Sequence, residues 1–273
     1  MRDTYRYSLL LTQRGQRYTL ALAALALAAG CSNSSRDFRP EDQFGRIYYI
    51  DGAGNWGFGQ LAVPQGLREA GYRGRIATYR WSATLNPLLD QTVFRAVARA
   101  QGRKLAREIE HYLAEYPNNE VHLIALSAGT GVAVWACEHL TPPAKIGNVI
   151  LLSSSLSSEY EMSKALANVR GTIFVYYSPN DGVLGGPVQV LGTIDGALGS
   201  HPAGLVGLRG LSSKIRNIPW TRRYEAYGWT GTHVSAVHHD FVRHVLSQHV
   251  LPEAQMLTAE VAHLSGTGEA SQQ

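Results

Sequence analysis

The stretch "VHLIALSAGTGVAVWACEHL", residues 121–140, decides how the rest of the chain is read. Residues 121–126 form a largely apolar run of strand length, and residues 129–140 resume with helical spacing. Between them stands one hydroxyl, Ser127, with Ala125 two residues before it and Gly129 two residues after. A sharp strand-to-helix turn needs small residues at those flanking positions, because strand and helix pack closely there. It lifts the side chain at its apex above the sheet edge. The helix N-terminus also brings backbone N–H groups and the positive end of a dipole to that hydroxyl. Ser127 therefore reads as a nucleophile or, more plainly, as a helix cap.

Outward from this turn, strand-like and helix-like segments alternate. Strands are predicted at 46–50 ("RIYYI"), 75–81, 121–126, 146–154, 172–178 and 222–229 ("RRYEAYGW"). Helices are predicted at 60–72, 93–116, 129–140, 159–169 and 239–250. Alternation of this kind implies right-handed crossovers and an α/β fold, a mainly parallel sheet of about six strands with helices on both faces. Residues 182–219 hold nine glycines and break the alternation, and so long an irregular connection is usually functional or mobile. Nothing resembling a linker divides residues 46–250, which are read as one domain followed by a tail, 251–273.

The composition, 45% hydrophobic and 17% charged over 273 residues, is that of a globular protein. The net charge of +4 is concentrated at the start: Arg2, Arg6, Arg14 and Arg17 face Asp3 alone, so residues 31–273 carry only +1. No nucleic-acid footprint survives that division. Residues 1–30 read as an export signal, a basic region followed by "YTLALAALALAAG", an apolar core too short to span a bilayer as a mature helix. Its end, "LAAGC", resembles the lipobox of bacterial lipoproteins, with Ala28 where that motif most often has Leu. The resemblance implies lipidation of Cys31. With Ser32 rather than Asp next, it implies an outer-membrane location facing the periplasm. An ordinary secretory peptide cut near Ala29, or a short membrane anchor, is the alternative. Residues 31–45 are polar and read as a tether. Cys137, the other of the two cysteines, sits among apolar neighbours and reads as an inert core residue.

A serine hydroxyl needs a base, and the base an orienting carboxylate. Here "ALSAGTG" resembles the G-x-S-x-G signature of the α/β-hydrolase family, with Ala125 in place of the first Gly. In that family the acid and the histidine follow the serine in chain order. By this resemblance Asp181, in "SPNDGVLG" just past the 172–178 strand, is the acid; by composition alone the same residues are a turn. Six of the ten histidines lie after residue 230. His233, in the loop "GWTGTH", fits the family's catalytic position, while His238 and His239 abut the closing helix and remain rivals. His239, His244 and His249 are five residues apart, which turns successive rings away from one another on a helix, so no metal site is expected.

The loop "DGAGNWGFG" (51–59) follows the first strand, where the family places its second oxyanion donor. The resemblance assigns the donors to the backbone N–H groups of Ala53 and Ala128. Trp56 and Phe58 read as the lining of an acyl pocket or, more plainly, as packing under the 182–219 connection. The same residues contain a literal G-x-G-x-x-G. A dinucleotide site would want an acidic residue at the end of the next strand, and none stands there. No cofactor is expected. Two functions stay open at this point. One is a lipid-anchored serine hydrolase acting on a small acyl-ester substrate through Ser127, His233 and Asp181. The other is a non-catalytic envelope lipoprotein that uses the same scaffold for binding.

Overall fold

The structure, a computed structural model, describes residues 38–210 and 212–251. The export signal, Cys31, the first part of the tether and the tail beyond residue 251 lie outside the described residues. Six strands, β1 (Arg46–Ile50), β2 (Arg75–Tyr79), β3 (Val121–Leu126), β4 (Val149–Leu152), β5 (Ile173–Tyr177) and β6 (Ile215–Pro219), form one open sheet. It is parallel throughout, in the order β2-β1-β3-β4-β5-β6. The helices are α1 (Ala62–Glu69), α2 (Pro87–Thr92), α3 (Arg95–Glu115), α4 (Gly129–His139), α5 (Ser163–Ala167), α6 (Ala203–Val206) and α7 (His239–His244). None of the described helices is long and apolar enough to cross a membrane.

The near-continuous apolar strands follow from burial on both faces. Alternate residues part into two cores. Tyr48, Leu123, Leu151 and Val175 point to the side covered by α3, α4 and α5, where Leu105, Val132 and Ala165 meet them. Tyr49, Ile124, Ile150 and Phe174 point to the side covered by α1 and α7, against Val63, Leu67 and Phe241. Strand order reverses between β1 and β3, so the connections leaving their carboxyl ends diverge and open a crevice between them. Both the Ser127 turn and the glycine loop lie there.

Four expectations are corrected. Residues 222–229 are not a strand; Arg222–Tyr227 winds as a 3-10 helix. Two of their aromatics serve a cluster instead, in which Tyr224 and Trp229 pack on Phe241. The sixth strand is Ile215–Pro219, inside the stretch expected to be irregular, and its partly exposed side chains and Pro219 suit a sheet edge. The irregular connection therefore ends before residue 215. The helix expected at 159–169 is confined to Ser163–Ala167. Within the expected tether, Pro40–Phe44 forms a 3-10 turn whose Asp42 is fully buried between Arg46 (2.6 Å) and Arg75 (3.2 Å). Polarity suggests a solvated stretch of chain there because the burial of Asp42 depends on Arg75, 33 residues away, as well as on the nearby Arg46.

His249 ties the carboxyl-terminal turn to β5. Its ring stacks on Phe174 with centroids 3.8 Å apart, and its Nε2 is 2.7 Å from the Tyr176 hydroxyl. Burial, and then the charge of Arg216, holds its pKa down at about 4, against 6.5 ordinarily. Between those values the unfolded chain binds the proton and the folded chain does not. Stability is therefore complete above pH 6.5 and falls as the pH drops through this window, by at most roughly 3 kcal/mol at pH 4. Urea titrations across pH 4–7 should show this acid limb, flattened in His249→Gln.

Candidate active site

Ser127 caps the end of β3 in a backbone conformation that non-glycine residues seldom adopt, with φ of 53°. Holding it there costs on the order of 1–3 kcal/mol. The surrounding backbone sustains that conformation: Ser127 N–H donates to Leu152 O at 2.9 Å, and its carbonyl accepts from Thr130 N at 3.1 Å. Thr130 Oγ1 donates to the same carbonyl at 2.5 Å. The small flanking residues have a direct reason. A Cβ at Gly129 would run into the backbone carbonyl oxygens of Asp51 and Ile50, so α4 could not approach β1. A Cβ at Gly52 would lie 3.3 Å from Ser127 Cβ, which shows how closely the glycine loop passes the hydroxyl. Ser127 is left 9% exposed, at the floor of a cavity.

Asp181 follows β5 through a turn in which Asn180 N donates to Ser178 Oγ at 3.1 Å. Its carboxylate is buried and does two things at once. Oδ1 accepts the N–H groups of Val183 (3.1 Å) and Leu184 (3.0 Å), while Oδ2 lies 2.8 Å from His233 Nδ1. His233 Nε2 is in turn 2.9 Å from Ser127 Oγ. A carboxylate only accepts, so the proton sits on Nδ1 and the free Nε2 is an acceptor for the serine hydroxyl. The loop that presents His233 is braced by Ser235, whose Oγ accepts from Thr230 N and donates to Thr232 O. Trp220 Nε1 donates to Trp229 O beside it. Three residues spread over 106 positions of sequence thus form one line of hydrogen bonds.

The glycine loop is held by two buried carboxylates. Asp51 accepts from Gly52 N (2.9 Å), Gly57 N (2.6 Å) and the Tyr49 hydroxyl (3.1 Å). Burial and then the Asp51 charge push the Tyr49 phenol well above its usual pKa, so it stays a donor. Asp90, on α2, accepts from Gly54 N at 3.0 Å and Thr84 N at 3.2 Å. These bonds occupy the amides of Gly52, Gly54 and Gly57. The N–H of Ala53 and that of Ala128 make no hydrogen bond among the described residues. A loop whose glycine amides are already taken is poorly suited to cradle a pyrophosphate, but one free N–H on either side of Ser127 suits a single oxyanion. Asp90→Ala removes an acceptor from Thr84 N and from Gly54 N, which keeps Ser82 Oγ at 2.9 Å, and is expected to destabilise by about 1–3 kcal/mol, read as a lower melting temperature.

Above Ser127 and His233 lies a cavity of about 190 Å³, lined mainly by apolar side chains. Trp56 and Phe58 of the glycine loop wall it, as expected, with Leu88 and Gln91 of α2 and Val188 and Leu191 of the irregular connection. That connection covers the cavity with a π turn, Leu184–Val188, running into Gln189–Leu191. It is fastened where Arg95 Nη2 donates to Leu191 O and Gln91 Nε2 donates to Gly192 O, both at 3.2 Å.

The rival histidines sit elsewhere. His238 Nδ1 caps α7 by accepting from Asp240 N, and His239 lies between Glu69 and Asp240. Cys137 is fully buried, and burial raises its pKa to about 12. Among the described residues no group of three or more His, Cys, Asp or Glu side chains is arranged to hold a metal ion. Sequence reading missed Asp90 and Gln91, whose partners are remote: Gly54 is 36 residues from the first, Gly192 101 from the second. The only local signal was an "NP" helix start, where Asn86 Oδ1 accepts from Leu88 N. No protein-family model matches the chain, and no curated protein matches it.

Proposed function

We propose that the protein is a serine hydrolase of α/β-hydrolase type, cleaving a carboxylic ester or related acyl bond through an acyl-enzyme. The observation that carries this reading is the line Asp181–His233–Ser127, with both contacts within 2.9 Å on one imidazole. In the reaction Ser127 Oγ attacks the acyl carbonyl carbon as its proton passes to His233 Nε2. Asp181 holds the ring and balances the imidazolium charge. The tetrahedral oxyanion takes the N–H groups of Ala53 and Ala128, helped by the positive end of α4. As the carbonyl re-forms, the C–O bond to the alcohol breaks and the leaving oxygen takes the proton from Nε2. Water then repeats the sequence on the acyl-Ser127 ester, giving its proton to Nε2 and releasing the acid.

The cavity is smaller than the ~300 Å³ at which drug-sized sites begin, which favours a short acyl group. Rates on chromogenic esters of graded acyl length should peak at short to medium chains. A folded protein that hydrolyses none of them would favour the binding-scaffold reading instead. We also propose a lipid anchor on Cys31 at the outer membrane, supported by the lipobox-like "LAAGC"; incorporation of labelled palmitate should be lost in Cys31→Ser.

A further inference from the structure

The mouth of the cavity is ringed by apolar side chains that stand in the open. Among the residues that line the cavity, Trp56, Leu88, Phe58 and Val183 are 59%, 51%, 46% and 43% exposed, and Leu61, Leu85 and Val190, close to them in the chain, are 83%, 79% and 80% exposed. This exposed surface therefore continues the cavity lining outward. The segments that build the ring carry almost no charge. Residues 52–67 and 228–237 hold no Asp, Glu, Lys or Arg. Residues 82–94 hold only Asp90, which is fully buried, and residues 182–208 only Asp195, whose Oδ1 accepts Ser157 N–H. By contrast α3 alone carries Arg95, Arg99, Arg103, Lys104 and Arg107, of which Arg95 and Arg99 reach the connection, on Leu191 O and Asp195 O. The Trp56 indole N–H donates to Leu85 O at 2.9 Å, so the ring could leave water without orphaning it.

The chemistry of the occupant follows from these features. A protein partner usually meets a polar, charged rim around an apolar centre, and a close-fitting one would seal the cavity. A fluid hydrocarbon surface needs no charged rim and leaves the mouth open to molecules dissolved in it. Both ends of the described chain lie at the opposite pole of the sheet. Phe38 packs on Tyr116 just before β3, and His249 O accepts from Asn148 just before β4. We propose that this ring seats the protein on the surface of a lipid aggregate, and that the ester cleaved at Ser127 is one dissolved in that surface, its short acyl group in the cavity and the rest of the molecule in the lipid. The second half rests on the hydrolase reading; the first does not.

The test uses the full-length protein carrying Ser127→Ala, so that no turnover intervenes, with phosphatidylcholine vesicles brominated in their acyl chains. Trp56 is the reporter, since Trp81, Trp135 and Trp229 are buried and Trp220 is partly so; Trp56→Phe identifies its share of the emission. Bromine should quench Trp56 nearly equally at low and high salt, because phosphatidylcholine carries no net charge and the one cation that reaches the ring, Arg95, is held on Leu191 O. Leu61→Ser, Leu85→Ser and Val190→Ser together should weaken the quenching severalfold at fixed lipid. Protein that floats with the vesicles while Trp56 stays unquenched would overturn the proposal. So would self-association, without quenching, that the same three substitutions abolish, since the face would then belong to a second copy. Labelling of wild-type Ser127 by a fluorophosphonate is read separately, so failure of lipid seating and failure of the hydrolase reading give different results.

Discussion

Ser127→Ala is expected to lower kcat/KM on the best ester by about ten-thousandfold to a millionfold, with little change in melting temperature. The nucleophile is lost, and what remains is binding and the two N–H donors. Ser127→Gly should be as inactive but more stable. At φ of 53° the serine backbone sits in a left-handed conformation that glycine adopts freely. Relief of that strain, less the greater flexibility of glycine in the unfolded chain, leaves a gain of roughly 1 kcal/mol. Thermal unfolding should show a rise of roughly 2–4 °C for a domain of this size. A pair of variants equally dead, one of them more stable than the wild type, would identify the turn as a place where stability is given up for exposure of the hydroxyl.

Asp181→Asn should lower kcat by about a thousandfold to ten-thousandfold while moving KM little. Oδ2 of Asp181 keeps the proton on His233 Nδ1, and an amide can present its own N–H there instead, favouring the tautomer whose Nε2 cannot accept from Ser127. Asp181→Ala should do more. It also removes the acceptor for Val183 N and Leu184 N, the amides that open the turn covering the cavity. A rise in KM confined to the alanine variant, measured by initial rates over the ester series, would separate the two duties of one carboxylate.

Legibility in the sequence tracked how local each signal was. β1, β3 and β5 are buried on both faces, so their composition alone announces them. β6, with "IRNIP" at the sheet edge, has no apolar face to show, and the aromatic-rich 222–229 gave a false strand because Tyr224 and Trp229 serve a three-dimensional cluster. In the site, Ser127 is marked by Ala125 and Gly129, small residues two positions to either side of it, although what Gly129 clears is the carbonyls of Ile50 and Asp51. Asp181 could be placed because it follows β5 shortly, and His233 because it precedes the closing helix by several residues, as in the family the chain resembles. Asp90 could not, since a lone acid in "NPLLDQT" acquires its purpose only when Gly54 and Thr84 fold against it.

The central claim is that Ser127 is activated by His233, and labelling with a fluorophosphonate probe tests it most directly. The full-length wild type, Ser127→Ala and His233→Ala are compared, each checked for folding by circular dichroism. Covalent labelling of the wild type, absent in Ser127→Ala and reduced at least about a hundredfold in rate in His233→Ala, is the expected result. Labelling of His233→Ala at the wild-type rate, or a folded wild type that does not label even with Trp56 engaged on lipid, would contradict it.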